Sequence, residues 1–481
     1  MKILIIQLAR LGDIYMSWPI VRALKRKFPS AEIDIIVREK FHEATQGLAE
    51  VDQCFSLNSK DIISFALNNI ENPTDFLERE LVSLKNKNYD TIYNLTFSPL
   101  SSYLAYYLSE SDTQVFGYNR FSDSSFSIQD SISAYFYSQV GIDKYNRFHL
   151  IDVFASLCDV DLIASDFNYP HDFSLTGSIE DNYITLQLGA SSEDKTLSPF
   201  IWSRVIKKLL SFDLGYKVVL LGSKAEEKYT EEIFAFNSHK DIINLVGKTS
   251  LKEVFPILKN ATLHVGGDSV FLHMCNLTQT PCLNLSFESV KFWETGPRVK
   301  GSYVLLNILP ANVESTEVAQ AIKSVLVQRP LPQLISYIQG IPCYSLRFNL
   351  VNDFEWSLVK AIYLGEAFPM TEDLVFFRAI ERLNDINNHI IEILLACQSE
   401  GTDKFVKILE AQDIVMRGIA RISSKASIYI DWCLAEKIKV PPLTENKIVE
   451  SYLKVHNELK LLLRPYLLED TNTQEEEKNH G

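Results

Sequence analysis

From residue 1 to about 326 this chain repeats one rhythm, in which short apolar runs alternate with stretches of helical periodicity. The runs fall at 3–6, 33–37, 91–95 and 115–117, then at 183–188, 217–221, 242–246, 263–265 and 282–285. Strands that are apolar on both sides belong to parallel sheets covered by helices on both faces. Two such sets predict two Rossmann-like α/β domains, over 1–170 and 171–330. The join is expected near 165–177, SDFNYPHDFSLTG, a polar stretch broken by Pro170 and Gly177 and preceded by a helix over 148–160.

Beyond 326 the strand signals fade. Phe377, Ile380, Leu383, Ile386, Ile390, Ile393 and Cys397 recur every three or four residues. Phe405, Ile408, Val415, Ile419 and Ile422 follow, and then Tyr452, Val455, Leu459 and Leu462. Thr371, Thr402 and Thr444 stand where helix N-caps belong, and Gly401 separates two helices. The pattern predicts a C-terminal α-helical bundle over 350–467 and a disordered tail over 468–481, LEDTNTQEEEKNHG.

The net charge of −14 leaves no general surface for nucleic acid, which needs clustered Lys and Arg. The seven cysteines are scattered without a CxxC pair, as expected of reduced thiols in a cytoplasmic protein, and they carry no zinc-ligand spacing. Met1-Lys2 leads straight into a strand, and no apolar run approaches the ~20 residues of a membrane helix, so membrane contact is expected to be peripheral at most.

Chemistry is expected at the ends of the strands. The opening stretch, ILIIQLARLGDIYMSWPIVRALKRKFP, reads as strand, turn and helix with one glycine in the turn. A dinucleotide site would carry G-x-G-x-x-G there, so NAD or FAD is not expected. Asp13 would repel a phosphate on this helix end. It reads equally well as a helix cap, worth about 1 kcal/mol, or as a general base that the helix dipole keeps ionised. The helix closes with Arg22, Lys25, Arg26 and Lys27, cations that complement its carboxyl end or meet a phosphorylated lipid-sugar.

In the second set, LQLGASSEDKTLSP (186–199) places Gly189, Ser191, Ser192 and Lys195 after a strand, which suits a phosphate group or a solvated loop. LHVGGDSVFLHM (263–274) ends a strand in Gly266-Gly267 and opens a helix at Asp268-Ser269, with His273 in its first turns. Such a helix start offers free N–H groups to a ligand, or it is a plain cap with a structural histidine. LLGSKAEEKY (220–229) places Glu226 where it could hold a pair of ribose hydroxyls or lie exposed on a helix.

These stretches resemble glycosyltransferase family nine, the ADP-heptose:lipopolysaccharide heptosyltransferases, across roughly 1–325. Arg10, Gly12 and Asp13 before PIVRALKRKFP match the family's opening, and SSEDKTLSP matches its phosphate-lysine loop through Ser191, Asp194 and Lys195. GSKAEE matches its ribose glutamate through Glu226, and GGDSVFLH matches its D-[ST]-G-x-x-H segment through Asp268, Ser269 and His273. NRFHLIDVFASL resembles the helix before the domain join. The resemblance implies a GT-B fold, two Rossmann-like domains facing a cleft, and a metal-independent inverting transfer with no cofactor. The donor would be a nucleotide sugar, ADP-heptose above all, and the acceptor a glycan or glycolipid at the inner face of the cell membrane. Asp13 would take the acceptor's proton beside Arg10, and Gly12 would touch the donor nucleotide sugar. Lys195 would steady the departing diphosphate with Ser192, Gly267 and the N–H groups near Ser269, and Thr249 would lie near the base.

Two departures stand out. Val270 replaces the family's glycine and narrows the approach to the diphosphate, and the helical extension has no counterpart in common members. That extension is open to a protein partner, self-association or plain packing. A protein glycosyltransferase with another donor, or an inactive scaffold acting through its helices, are the competing readings. The joint presence of Asp13 and Lys195 argues against the scaffold.

Overall fold

A computed structural model describes residues 1–58, 81–141, 144–170, 172–173, 179–190, 192–237, 240–287, 289–308, 313–329, 334–336, 354–402 and 405–467. The expected tail over 468–481 and Ser191 lie outside them. The chain divides into two units: Met1–Thr96, Tyr107–Val115 and Arg147–Val351 form one, and Phe97–Tyr106, Phe116–Asn146 and Asn352–Gly481 the other.

The first sheet holds β1 (Lys2–Ile6), β2 (Glu32–Arg38), β3 (Gln53–Leu57), β4 (Thr91–Asn94) and β5 (Gln114–Gly117), in the order β3-β2-β1-β4-β5. A two-residue hairpin, β6 (Asn119–Arg120) with β7 (Phe126–Ser127), follows. The second sheet holds β8 (Tyr183–Gln187), β9 (Lys217–Leu221), β10 (Ile242–Asn244), β11 (Leu263–Gly266), β12 (Cys282–Phe287), β13 (Tyr303–Ile308) and β14 (Leu334–Ser336). Its order is β10-β9-β8-β11-β12-β13-β14, with only β14 antiparallel to its neighbour. In both sheets the chain reverses direction of growth beside the first strand, between β1 and β4 and between β8 and β11. Ligands of such sheets bind at that switch point, outside the carboxyl ends of the strands.

The strands form as their sequences dictate. Ile3 to Ile6 are fully buried, and every residue of β8 is buried. Helix Leu11–Lys27 follows β1, carrying Asp13 in its first turn and cations in its last. Those cations are spent within the chain. Arg22 is buried, donates to the carbonyls of Asp166 and Asn168 at 3.0 and 2.6 Å, and approaches Glu50 at 3.4 Å. Arg26 pairs with Asp166, Lys25 with Asp52 and Lys27 with Asp159, at 2.8, 3.2 and 2.7 Å. This basic helix end is tied to neighbouring carboxylates and carbonyls of its own unit. Tyr15 and Trp18 of the same helix meet Phe255, with Trp18 stacked at 5.8 Å, so helix Leu251–Asn260 from the second sheet closes on the first.

Among the described residues the second unit is mainly helical. Helices Phe354–Leu364, Leu374–Glu400, Val406–Ile422, Ser427–Ile438 and Glu445–Leu463 are joined by residues from earlier in the chain. The Ser138 hydroxyl meets the Tyr363 hydroxyl at 2.6 Å, and Lys144 pairs with Asp431 at 2.5 Å. Asn387 and His456 hydrogen-bond each other at full burial. Three local expectations shift. Asp373, not Thr371, caps the 27-residue helix, accepting from the N–H groups of Val375 and Phe376. Thr402 lies before its helix and donates to Glu445 at 2.7 Å. Of the second apolar run only Ile419 is buried with Met416, because Ile408, Val415 and Ile422 point outward, Ile422 being 75% exposed. Among the described residues no helix is long and apolar enough to cross a membrane, and six cysteines are free.

Candidate active site

The wall built on the first sheet starts from a buried glutamine. Gln7 follows β1, and its amide oxygen accepts from the Thr96 hydroxyl at 2.9 Å and the Ala9 N–H at 3.3 Å. Its amide nitrogen donates to the Ser17 hydroxyl at 3.3 Å and, more loosely, to the Asp13 carbonyl at 3.5 Å. The turn and the start of helix Leu11–Lys27 are thereby locked to β4. The N-cap position falls on Arg10 and not on Asp13, which is the third helical residue and reaches back to accept from the Arg10 N–H at 3.0 Å.

Burial is the largest influence on the Asp13 carboxyl and pushes its pKa up, against the Arg10 N–H and the charges of His273 and Arg10, with Asp268 pushing the same way as burial. The sequence reading weighed only the helix dipole, which favours the anion. Loss of water outweighs it here. Arg10 itself is exposed.

Gly12 has a steric reason to be glycine: a Cβ there would stand 2.5 Å from the His273 ring. The first helix start thus rests on helix Val270–Thr278 of the second sheet. His273 is buried and neutral-leaning, its pKa lowered by burial against the pull of Asp268 and Asp13.

The second wall gathers at the carboxyl ends of β8, β9 and β11. Asp268 meets the Lys195 ammonium at 3.4 Å and accepts from the Thr295 hydroxyl at 2.7 Å. Gly267 lets the loop carrying Lys195 come close, since a Cβ would stand 2.8 Å from the Lys195 carbonyl. Asp194 accepts from Ser289 at 2.6 Å, and its pKa is lowered by the hydroxyls of Ser192 and Ser289. Ser192 is exposed. Glu226 accepts from the Ser223 N–H and presses its carboxylate on Gly189, where a Cβ would stand 2.5 Å away. Its capping bond and its place at the sheet's carboxyl edge coexist. Thr249 lies half-buried beyond β10, two strands from the switch point. Val270 is the first residue of its helix and half-buried.

The structure therefore brings Gly12, Asp13, Asp268, Ser269, His273 and Lys195 together, with Glu226 one strand away. Sequence reasoning missed Gln7, Gln187 and Thr295. Gln187 is buried, accepts from the Ser269 hydroxyl and donates to the Gly189 carbonyl. The available signal was positional: both switch-point strands, ILII and YITL, run into a glutamine. Among the described residues no group of three or more His, Cys, Asp or Glu gathers as a metal site.

Two switch-point sheets in one unit define a GT-B-like α/β fold. The family model of glycosyltransferase family 9 (heptosyltransferase) matches residues 79–317. Lipopolysaccharide heptosyltransferase 3 of Escherichia coli K12 is 23% identical over 288 residues, covering 57% of this chain and 79% of that protein. Lipopolysaccharide heptosyltransferase 1 of Campylobacter coli is 23% identical over 305 residues, covering 59% and 83%. The solved E. coli heptosyltransferase WaaC with ADP superposes with a TM-score of 0.50 at 18% identity, over 68% of this chain and all of the other, and shares the fold. Over residues 79–317 the chain is thus heptosyltransferase-like, similar to the glycosyltransferases of family 9. The family match starts after Asp13, so the role of that residue rests on its surroundings.

Proposed function

We propose that the protein moves heptose from ADP-heptose to a hydroxyl of a lipopolysaccharide-core or other glycan acceptor, with inversion and without a metal. The acceptor oxygen attacks the anomeric carbon, the bond from that carbon to the diphosphate breaks, Asp13 takes the hydroxyl proton, and ADP leaves with the electron pair. Lys195 and the first N–H groups of helix Val270–Thr278 meet the negative charge that develops on the diphosphate. Glu226 holds the ribose, and Thr249 lies on the side of the base. The pKa of a desolvated Asp13 moves towards working pH, where a general base is most effective.

The observation that carries this reading is the juxtaposition of a desolvated carboxylate from one switch point with the Lys195–Asp268 pair of the other, within reach of the same histidine. The test is Asp13→Asn, assayed for transfer from ADP-heptose and for ADP binding. Transfer should fall by ~10²–10⁴ while ADP affinity is kept. Undiminished transfer would remove Asp13 from the chemistry. A larger thermal shift with UDP than with ADP would remove the adenine donor.

A further inference from the structure

Gln187 ends β8 at the switch point, directly beside Gly266 at the end of β11, because Leu186 pairs with Val265. Its amide has one arrangement that satisfies both neighbours. The Gly189 carbonyl can only accept, so the amide nitrogen must face it. The amide oxygen then faces Ser269 and can itself only accept, so the Ser269 proton is committed to it. Flipping the amide would set two carbonyl oxygens against each other with the residue 7% exposed, where such a clash is poorly screened. Gly266 makes the crossing possible: a Cβ there would stand 2.8 Å from the Gln187 amide oxygen and 3.0 Å from its Cβ. Ser269 also occupies the N-cap position of its helix without using its side chain to cap it, which leaves the first helix N–H groups for a ligand.

We propose that Gln187 is a positioning residue that commits the Ser269 hydroxyl to accepting, so that Ser269 takes a hydrogen bond from a hydroxyl of the donor's sugar and does not grip the diphosphate. The inference rests on the nucleotide-sugar reading above and deepens it. A serine free to rotate would donate to phosphate and bind ADP and ADP-sugar alike. With its proton occupied, its lone pairs distinguish a donor that carries a sugar from the spent nucleotide, and the diphosphate is left to Lys195 and backbone N–H groups.

The test measures the affinity of the full chain for ADP and for ADP-heptose by calorimetry. Ser269→Ala should cost about five- to tenfold in ADP-heptose affinity and less than about twofold in ADP affinity, the size of one hydrogen bond. Ser269→Thr keeps the hydroxyl and should keep the ratio. Gln187→Met should lose the ratio, and should add nothing to it in the Ser269→Ala background. Equal weakening of ADP and ADP-heptose by Ser269→Ala overturns the proposal, as do multiplying effects of the two substitutions. Ser269→Ala keeps the proposal falsifiable if Gln187→Met fails to fold. Wild-type protein that binds ADP-heptose no tighter than ADP overturns this proposal and spares the donor reading. Wild-type protein that binds neither overturns both.

Discussion

The two sheets of the first unit share an order, a switch point and a buried glutamine at the end of the strand beside it, yet they finish with opposite electrostatics. After β1 the chain spends four residues on a turn and opens a helix with Asp13 held by the Arg10 N–H. After β8 it spends a longer, hydroxyl-rich loop that brings in Lys195, and after β11 a Gly-Gly pair that opens a helix beside it. The first arrangement fills its helix start with a carboxylate of its own, so no anion can settle there. The second leaves its helix start uncapped by the serine and adds a cation. One architecture thus yields a helix start that carries its own carboxylate and another that stands open beside a cation, and the difference lies in the length and residue types of two loops.

The sharpest way to break this contrast is to remove the cation. Lys195→Met is expected to lower kcat/KM for transfer by ~10²–10³, since charge on a leaving group in a partly desolvated site is stabilised strongly. Added salt should not restore it. A loss under threefold would show that the helix N–H groups suffice and that Lys195 only balances Asp268. Next in size is Gly12→Ala. The new methyl would meet the His273 ring at 2.5 Å, and a buried ring wedged by helices has nowhere to go. Overpacking of this kind costs about 1–3 kcal/mol, to be read in a denaturant titration alongside transfer. An unchanged midpoint would mean that the first helix start is not pressed on the second wall.

Asp13 offers a smaller effect of opposite sign. Burial raises its folded pKa, so its ionised form is disfavoured in the native state, and the cost appears as pH rises through that raised value and is absent below the ordinary aspartate range. Asp13→Asn keeps an oxygen for the Arg10 N–H and removes the charge. The variant should melt about 1–3 °C above wild type near pH 8, with the gap closing towards acid pH. With Asp13 as the base proposed above, the same raised pKa should place the acid limb of the wild-type kcat/KM profile above the ordinary carboxylate range. A variant that melts lower at pH 8 would show that the cap outweighs the desolvation.

Much of this contrast was legible in the sequence, and what was not has physical causes. Strands buried on both faces announce themselves by composition, as in residues 3–6 and 183–188. β3, QCFSL, does not, because an edge strand with half-exposed residues needs no apolar run. Apolar spacing placed the helix Val406–Ile422 but misjudged its buried face, since Ile408, Val415 and Ile422 keep one period while Met416 and Ile419 keep another. Asp13, Lys195 and Asp268 could be read from their positions after strands. Gln7 and Gln187 were marked only by their place at the ends of two strands, and Thr295 by nothing, because their meaning lies in pairing with residues far along the chain: Thr96, Ser269 and Asp268. The rise in the Asp13 pKa was equally hidden, because the burial that causes it is a property of the folded chain.

The smallest expected effect separates Glu226 from the rest of the second wall. Gly189→Ala would place a methyl 2.5 Å from the Glu226 carboxylate, as close as the Gly12 clash, yet Glu226 is a half-buried, flexible side chain whose end can swing aside. The melting temperature should therefore move by about 1 °C or less, in contrast to Gly12→Ala. The displaced carboxylate would lose its hold on the ribose, so ADP affinity should fall about fivefold, the worth of one hydrogen bond. Inorganic diphosphate has no ribose, and its affinity should stay as it was. Glu226→Gln should give the same split without the steric push. If both ligands weaken together, Glu226 shapes the phosphate loop through Gly189, and the ribose must be held elsewhere on the carboxyl edge of the sheet.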